Sequence, residues 1–347
     1  MVFKHRAMLP SLCLALMLLG GCGGGSSSDN AASITPPPVA ATPADTTPTP
    51  APTPAQTEPI SGRFTDRIFN EVERTSNIIF GEAPRQDGTQ ILEMDIYTPV
   101  GDSETQRPVL ILAFGGGFTS GFRRDPLITT IATEFAQRGF VTASIDYRLL
   151  EITPTTQDEA EIGIIKAMHD MKAAVRFMRE DSLGPNIYGT RSDAVFVGGV
   201  SAGAIMASFS GALDNDDIVT EAVGDFLAAN NGVDGNSSDN TEISSGVQAV
   251  FSLSGAVTDP GWIDERTAPI YAAHEEFDTV VPCRFSMASS GAFLAGGCDM
   301  VEGASNAGVA AELFLVEGSD NHIGYSLFEY IDIFEEAAAF LATQIPE

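Results

Sequence analysis

The chain has 347 residues, 44% of them hydrophobic, enough to bury one large domain or two small ones. Its formal net charge is −29, and its only lysines are Lys4, Lys166 and Lys172. Phosphate backbones are held by clustered positive charge, so nucleic acid is excluded as a partner.

In chain order, Lys4 and Arg6 form a basic leader, and AMLPSLCLALMLL follows as an apolar run too short to span a bilayer comfortably. Leu19-Gly20-Gly21-Cys22 then resembles the cleavage site of a bacterial lipoprotein signal. That resemblance implies that residues 1–21 are removed and that Cys22 becomes the lipidated N-terminus, the only membrane contact expected. Gly23, in place of Asp, implies export to the outer membrane. Residues 22–59 are Gly/Ser-rich and then Pro/Thr/Ala-rich, ending in PPPVAATPADTTPTPAPTPAQTE. Nothing there can bury a core, and as extended polyproline II it reaches about 100 Å at roughly 3.1 Å per residue. It is expected to be a disordered tether, with the body over 60–347. Cys13 leaves with the signal and Cys22 takes lipid, so Cys283 and Cys298 remain and are expected to pair in an oxidising compartment.

Within the body, the predicted strands are SNIIFGEA, QILEMDIYTP, PVLILAF, VTASIDYRL, AVFVGGV, VQAVFSLSG, APIYAAH and AAELFLVEG. The predicted helices are DPLITTIATEFAQRG, the long DEAEIGIIKAMHDMKAAVRFMRED, SAGAIMASFSGAL, RFSMASSGAFLAG and LFEYIDIFEEAAAFLATQ. Two early strands are followed by strand–helix alternation, and VLILAF and AVFVGGV read as continuous apolar runs. This predicts an α/β fold, a mostly parallel eight-stranded sheet with helices on both faces and chemistry at the carboxyl ends of the strands. The insertion ALDNDDIVTEAVGDFLAANNGVDGNSSDNTEIS is expected to end in a solvated loop.

After AVFVGGV comes Gly199-Val200-Ser201-Ala202-Gly203, a G-x-S-x-G between strand and helix. Only small residues fit two positions either side of a serine in so tight a turn, and the following helix aims N–H groups at a developing anion. Ser201 is therefore the candidate nucleophile and needs a base and an acid. The histidines are His5, His169, His274 and His322. His274, which ends a strand, and His322, in EGSDNHIGY after the last strand, are the candidate bases. His169 lies mid-helix and reads as a surface or packing residue. The carboxylates just past late strands are Glu275, Glu276 and Asp278 in HEEFDTVVP, and Asp259 and Asp264 after the preceding strand.

Taken in order, PVLILAFGGGF, SIDYRL, GVSAG, HEEFDTVVP and His322 resemble the α/β-hydrolase esterases. The resemblance implies the triad Ser201, Asp278 and His322. HEEFDTVVP is similar to the H-G-x-x-D-x-x-V-P segment of many such hydrolases, but Glu275 stands where Gly is usual. The loop LAFGGGFTSG resembles an HGGGF oxyanion loop and implies Gly116, Gly117 and Ala202 as oxyanion donors. Phe114 replaces its usual His, which supports the loop and transfers no proton. About a dozen residues separate SLSG from APIYAAH, so no large lid is expected. Phe118 and Trp262 are candidate substrate contacts, with core packing the alternative for Trp262. No metal and no cofactor is implied. The expected partner is a small or polymeric ester outside the cytoplasm, such as a feruloyl or acetyl polysaccharide or a polyester. A prolyl-oligopeptidase-type peptidase and a non-catalytic surface lipoprotein are the alternatives.

Overall fold

The computed structural model describes residues 2–6 and 61–347. Cys22 and the rest of the expected signal and tether lie outside the described residues. The elements run β1 (Val2–Arg6), β2 (Val72–Arg85), β3 (Gly88–Pro99), β4 (Arg107–Ala113), α1 (Pro126–Ala136), β5 (Val141–Ile145), α2 (Gln157–Leu183), β6 (Thr190–Val200), α3 (Ala202–Ala212) and α4 (Glu221–Ala229). They continue with β7 (Val250–Leu253), β8 (Ala256–Val257), β9 (Ile270–Glu275), β10 (Ser286–Met287), β11 (Phe293–Gly296), α5 (Gly297–Asn306), β12 (Ala311–Val316) and α6 (Leu327–Thr343).

The main sheet has the order β1-β12-β9-β7-β6-β4-β5-β3-β2. Eight strands come from the body and match the eight expected; β1, which lies within the leader expected to be removed, adds a ninth, parallel to β12. Only the β2–β3 and β3–β5 pairs are antiparallel. β4, β5, β7 and β9 are buried along their whole length, as strands covered on both faces must be. Helix starts follow local chemistry. Asp125 accepts the Leu127 amide ahead of Pro126, Thr156 accepts that of Glu159, and Ser326 with Glu329 forms a capping box.

One expectation fails and a second holds only in part. RFSMASSGAFLAG is not a helix but the hairpin β10–β11, whose second strand pairs with β8. The turn between them carries Gly291 at φ +88°, and the Cys283–Cys298 disulfide ties the two ends of the insertion together. Closing that loop contributes roughly 3 kcal/mol. The Asn/Gly-rich end of the long insertion is solvated only in part: Asn236, Asp239, Thr241, Glu242 and Ser244 are exposed, while Val233, Gly235, Ser237 and Ser245 are buried. It docks on α2, where Arg176 donates to the Asp234 carbonyl (2.6 Å) and to Ser238 (2.9 Å), and Arg179 donates to the carbonyls of Ser244 and Gly246. Ser237, fully buried, donates to Asp170 (2.7 Å). A polar segment can bury itself there because α2 turns charged side chains toward its backbone. His169 belongs to this packing: its ring reaches the Gly232 carbonyl at 2.9 Å, and burial pushes its pKa down to about 3.

Candidate active site

Ser201 follows β6 directly and holds φ 52°, ψ −118°, a conformation that costs a non-glycine residue about 1–3 kcal/mol. The surroundings enforce it. A Cβ at Gly203 would stand 2.1 Å from the Ala113 carbonyl oxygen, and one at Gly199 would stand 2.5 Å from the same atom. Both glycines of G-x-S-x-G are thus required by the close approach of β4. The Ser201 amide donates to the Leu253 carbonyl (2.8 Å), locking the turn to β7.

The structure brings three predicted residues together from separate strand ends. His322 Nδ1 donates to Asp278 Oδ2 (2.7 Å), which leaves Nε2 to accept from Ser201 Oγ (2.9 Å). Asp278 is buried, and its other oxygen accepts the amides of Val280 (2.8 Å) and Val281 (3.0 Å). One carboxylate oxygen is therefore occupied by its own loop and the other faces the imidazole.

The rivals have other work. His274 is fully buried at the end of β9. Its Nδ1 accepts the Gly297 amide (3.1 Å) and its Nε2 donates to the Val281 carbonyl (2.8 Å). Burial lowers its pKa, so it stays a neutral strut beneath the Asp278 loop. Glu275 accepts the amides of Ile323 and Gly324, each at 2.8 Å, immediately after His322. Burial raises its pKa, with the two amides opposing. Where the resembling segment has Gly, this chain has a clamp on the histidine loop, a role that the sequence did not reveal although it marked Glu275 as a departure and as a rival of Asp278. Glu275→Ala is expected to lower kcat on p-nitrophenyl acetate about 10- to 100-fold with little change in KM, because a misplaced imidazole loses orientation. An unchanged kcat would show that the loop holds itself. Asp259 accepts the Gly261 amide (2.7 Å) and Asp264 pairs with Arg266 (2.6 Å), so neither serves the imidazole.

The glycine loop follows β4. Gly116 and Gly117 take φ +117° and +61°, and the Gly116 carbonyl accepts the amides of Thr119 (3.1 Å) and Ser120 (3.2 Å). Gly115 lies close to the nucleophile, since a Cβ there would sit 3.2 Å from the Ser201 Cβ. Phe114 is buried and stacks on Tyr147 (ring centroids 4.3 Å), whose hydroxyl donates to the Phe114 carbonyl (2.9 Å). Its ring occupies the space where a Cβ on Gly121 would stand, 2.3 Å away. Phe114 thus anchors the loop by packing. Phe114→His is expected to keep kcat/KM on p-nitrophenyl acetate within about tenfold, since Tyr147 still holds the carbonyl. A thousandfold loss would mean that the apolar ring itself is needed.

Both candidate substrate contacts are packed. Phe118 is buried edge-on against Tyr147 (6.0 Å), and its carbonyl accepts the Leu150 amide (2.7 Å). Trp262 is buried edge-on against Phe209 (5.2 Å), with its indole N–H directed at the Ile218 carbonyl (3.4 Å). Among the described residues, no three His, Cys, Asp or Glu side chains are placed to share a metal ion.

The BD-FAE family model matches residues 94–259, a stretch that holds the glycine loop and Ser201 and ends before Asp278 and His322. Esterase 2 of Thermogutta terrifontis, solved after phosphoramylation by tabun, superposes with a TM-score of 0.57 at 19% identity, covering 78% of this chain and 94% of that one. The same enzyme with propionate bound gives 0.55 at 19% identity, covering 77% and 93%. A truncated carbohydrate esterase from gut microbiota gives 0.55 at 18% identity, covering 78% and 96%. The search of curated proteins found no match. The chain has the α/β-hydrolase fold.

Proposed function

We propose that this α/β-hydrolase is a serine carboxylic-ester hydrolase working outside the cytoplasm. The observation that carries the reading is the unbroken relay from Ser201 through His322 to Asp278, at 2.9 and 2.7 Å, on a turn of positive φ. Ser201 Oγ attacks the ester carbonyl as His322 Nε2 takes its proton. Asp278 holds the tautomer and stabilises the imidazolium. The amides of Gly116, Gly117 and Ala202 receive the oxyanion, each donor worth about 3–4 kcal/mol. His322 then protonates the departing alcohol. Water, deprotonated by the same imidazole, attacks the acyl-enzyme, and the acid leaves with Ser201 restored.

Acylated polysaccharides, with feruloyl or acetyl groups, and polyesters are the proposed substrates. Their support is an open apolar rim: Phe277 and Val280 stand exposed on either side of Asp278, and Phe122 lies exposed just past the glycine loop. The test is covalent labelling by a fluorophosphonate, followed by a panel of p-nitrophenyl esters of rising acyl length, feruloyl esters, acetyl-xylan and emulsified polyester. No labelling and no turnover on any of them sinks the reading.

Export and anchoring through Cys22 belong to the same proposal, supported by the sequence around that residue. In a Gram-negative host the chain is expected to incorporate labelled palmitate and to sediment with membranes, and Cys22→Ser is expected to abolish both. Continued labelling of the variant would refute the anchor.

A further inference from the structure

A second cleft, of about 460 Å³, lies beside the first turns of α2, β8 and the β10–β11 hairpin. Glu161, Thr258, Asp259, Trp262, Phe285 and Phe293 line it. Phe285 and Phe293 stack on each other (5.8 Å, 29°) and remain about half exposed, so ring surface is open to a ligand. Thr258 follows Ser254 by four residues, and Ser254 adjoins Leu253, the acceptor of the Ser201 amide. The cleft therefore opens on the same carboxyl side of the sheet as Ser201.

Its polar groups lack a cation. Glu161 is 8% exposed and Thr258 6% exposed. Burial raises the Glu161 pKa, the Thr258 hydroxyl opposes this, and Asp158 and Asp259 add to the rise. The Glu161–Thr258 contact falls short of a full hydrogen bond, leaving the hydroxyl otherwise unsatisfied. No Lys or Arg lines the cleft. The nearby guanidiniums are engaged: Arg284 by Asp299 (2.8 Å) and Glu302 (2.5 Å), Arg266 by Asp264 (2.6 Å) and Asp217 (3.2 Å). A buried carboxylate without a partner is costly, and an entering cation removes that cost. Aromatic faces favour the same cation over a neutral group.

We propose that this cleft binds a protonated amine carried on a sugar or short alkyl frame. Glu161 and Asp259 face the ammonium, the Thr258 hydroxyl accepts one N–H, and the frame packs on Phe285 and Phe293. As a subsite for amine-bearing esters the proposal rests on the esterase reading; as a binding site it does not.

Trp262 is the only tryptophan and lines the cleft, so its emission reports occupancy. Ser201→Ala protein is titrated near neutral pH with glucosamine and with glucose, which differ at one carbon in carrying an ammonium or a hydroxyl, and calorimetry is run in parallel. Glucosamine is expected to bind at least about tenfold more tightly. Glu161→Gln and Asp259→Asn, which keep oxygen acceptors and remove charge, are expected to erase that preference, with thermal melting confirming that both variants fold. The proposal is overturned if glucose binds as well as glucosamine, if folded Glu161→Gln keeps the preference, or if neither method detects glucosamine. If Ser201→Ala protein binds glucosamine while the wild type hydrolyses no ester, the esterase reading fails and the cleft stands.

Discussion

Ser201→Ala is expected to lower kcat on p-nitrophenyl acetate by roughly 10⁴- to 10⁶-fold and to abolish fluorophosphonate labelling. The nucleophilic oxygen is the one atom the proposed relay exists to activate; without it His322 has no alcohol to deprotonate and no acyl-enzyme can form. A residue of rate above water should survive, since glycine-loop donors and binding act independently of the relay. The variant should remain folded. The elbow is held by the Ser201 amide on Leu253 and by the close approach of β4 to Gly199 and Gly203, not by the hydroxyl. Turnover within tenfold of wild type would place the nucleophile elsewhere.

Gly116→Val is the second large effect, an expected loss of at least about 10³-fold in kcat. Gly116 holds φ +117°, which a β-branched residue does not adopt, and a Cβ there would stand 2.1 Å from the Ser120 carbonyl oxygen. The loop must therefore re-form, carrying its amides away from the oxyanion, and one lost donor alone costs about 10²- to 10³-fold. Gly117→Ala separates donor geometry from loop collapse. Nothing crowds that Cβ more closely than Thr119 Oγ1 at 4.0 Å, so the cost should be mainly the positive φ of +61°. A smaller loss in Gly117→Ala than in Gly116→Val is expected. If both variants keep full activity, the loop is only a turn.

Local chemistry announced a good part of this site. Runs such as VLILAF and AVFVGGV have to lie inside a covered sheet, and a serine between small residues after such a run has to sit on a tight turn. Histidine is scarce, which left His274 and His322, both at strand ends, as candidate bases. RFSMASSGAFLAG misled because its apolar spacing suits a helix as well as a hairpin; the hairpin's second strand pairs with β8, which is distant in sequence. The Asn/Gly-rich insertion misled in part because its polarity reads as exposure throughout, whereas Arg148, Arg176 and Arg179 on facing segments give some of its carbonyls and hydroxyls buried partners.

Glu275 and His274 mark the boundary most clearly. Both were visible as titratable residues near Asp278, and nothing local distinguished a catalytic acid from a clamp. That distinction depends on which amides each oxygen meets, and those amides belong to Ile323 and Gly324, far along the chain. The sequence by itself determined the eight body strands of the main sheet, the position of the elbow and the candidate nucleophile, and narrowed the base to two histidines at strand ends. These depend on periodicity, residue size and residue type, which are properties of short segments. Only the tertiary structure decided which carboxylate meets His322, that Phe114 anchors the glycine loop against Tyr147 and Gly121, and that an acidic aromatic cleft opens beside α2. Each of these depends on the distance between groups from different segments, and packing alone sets that distance.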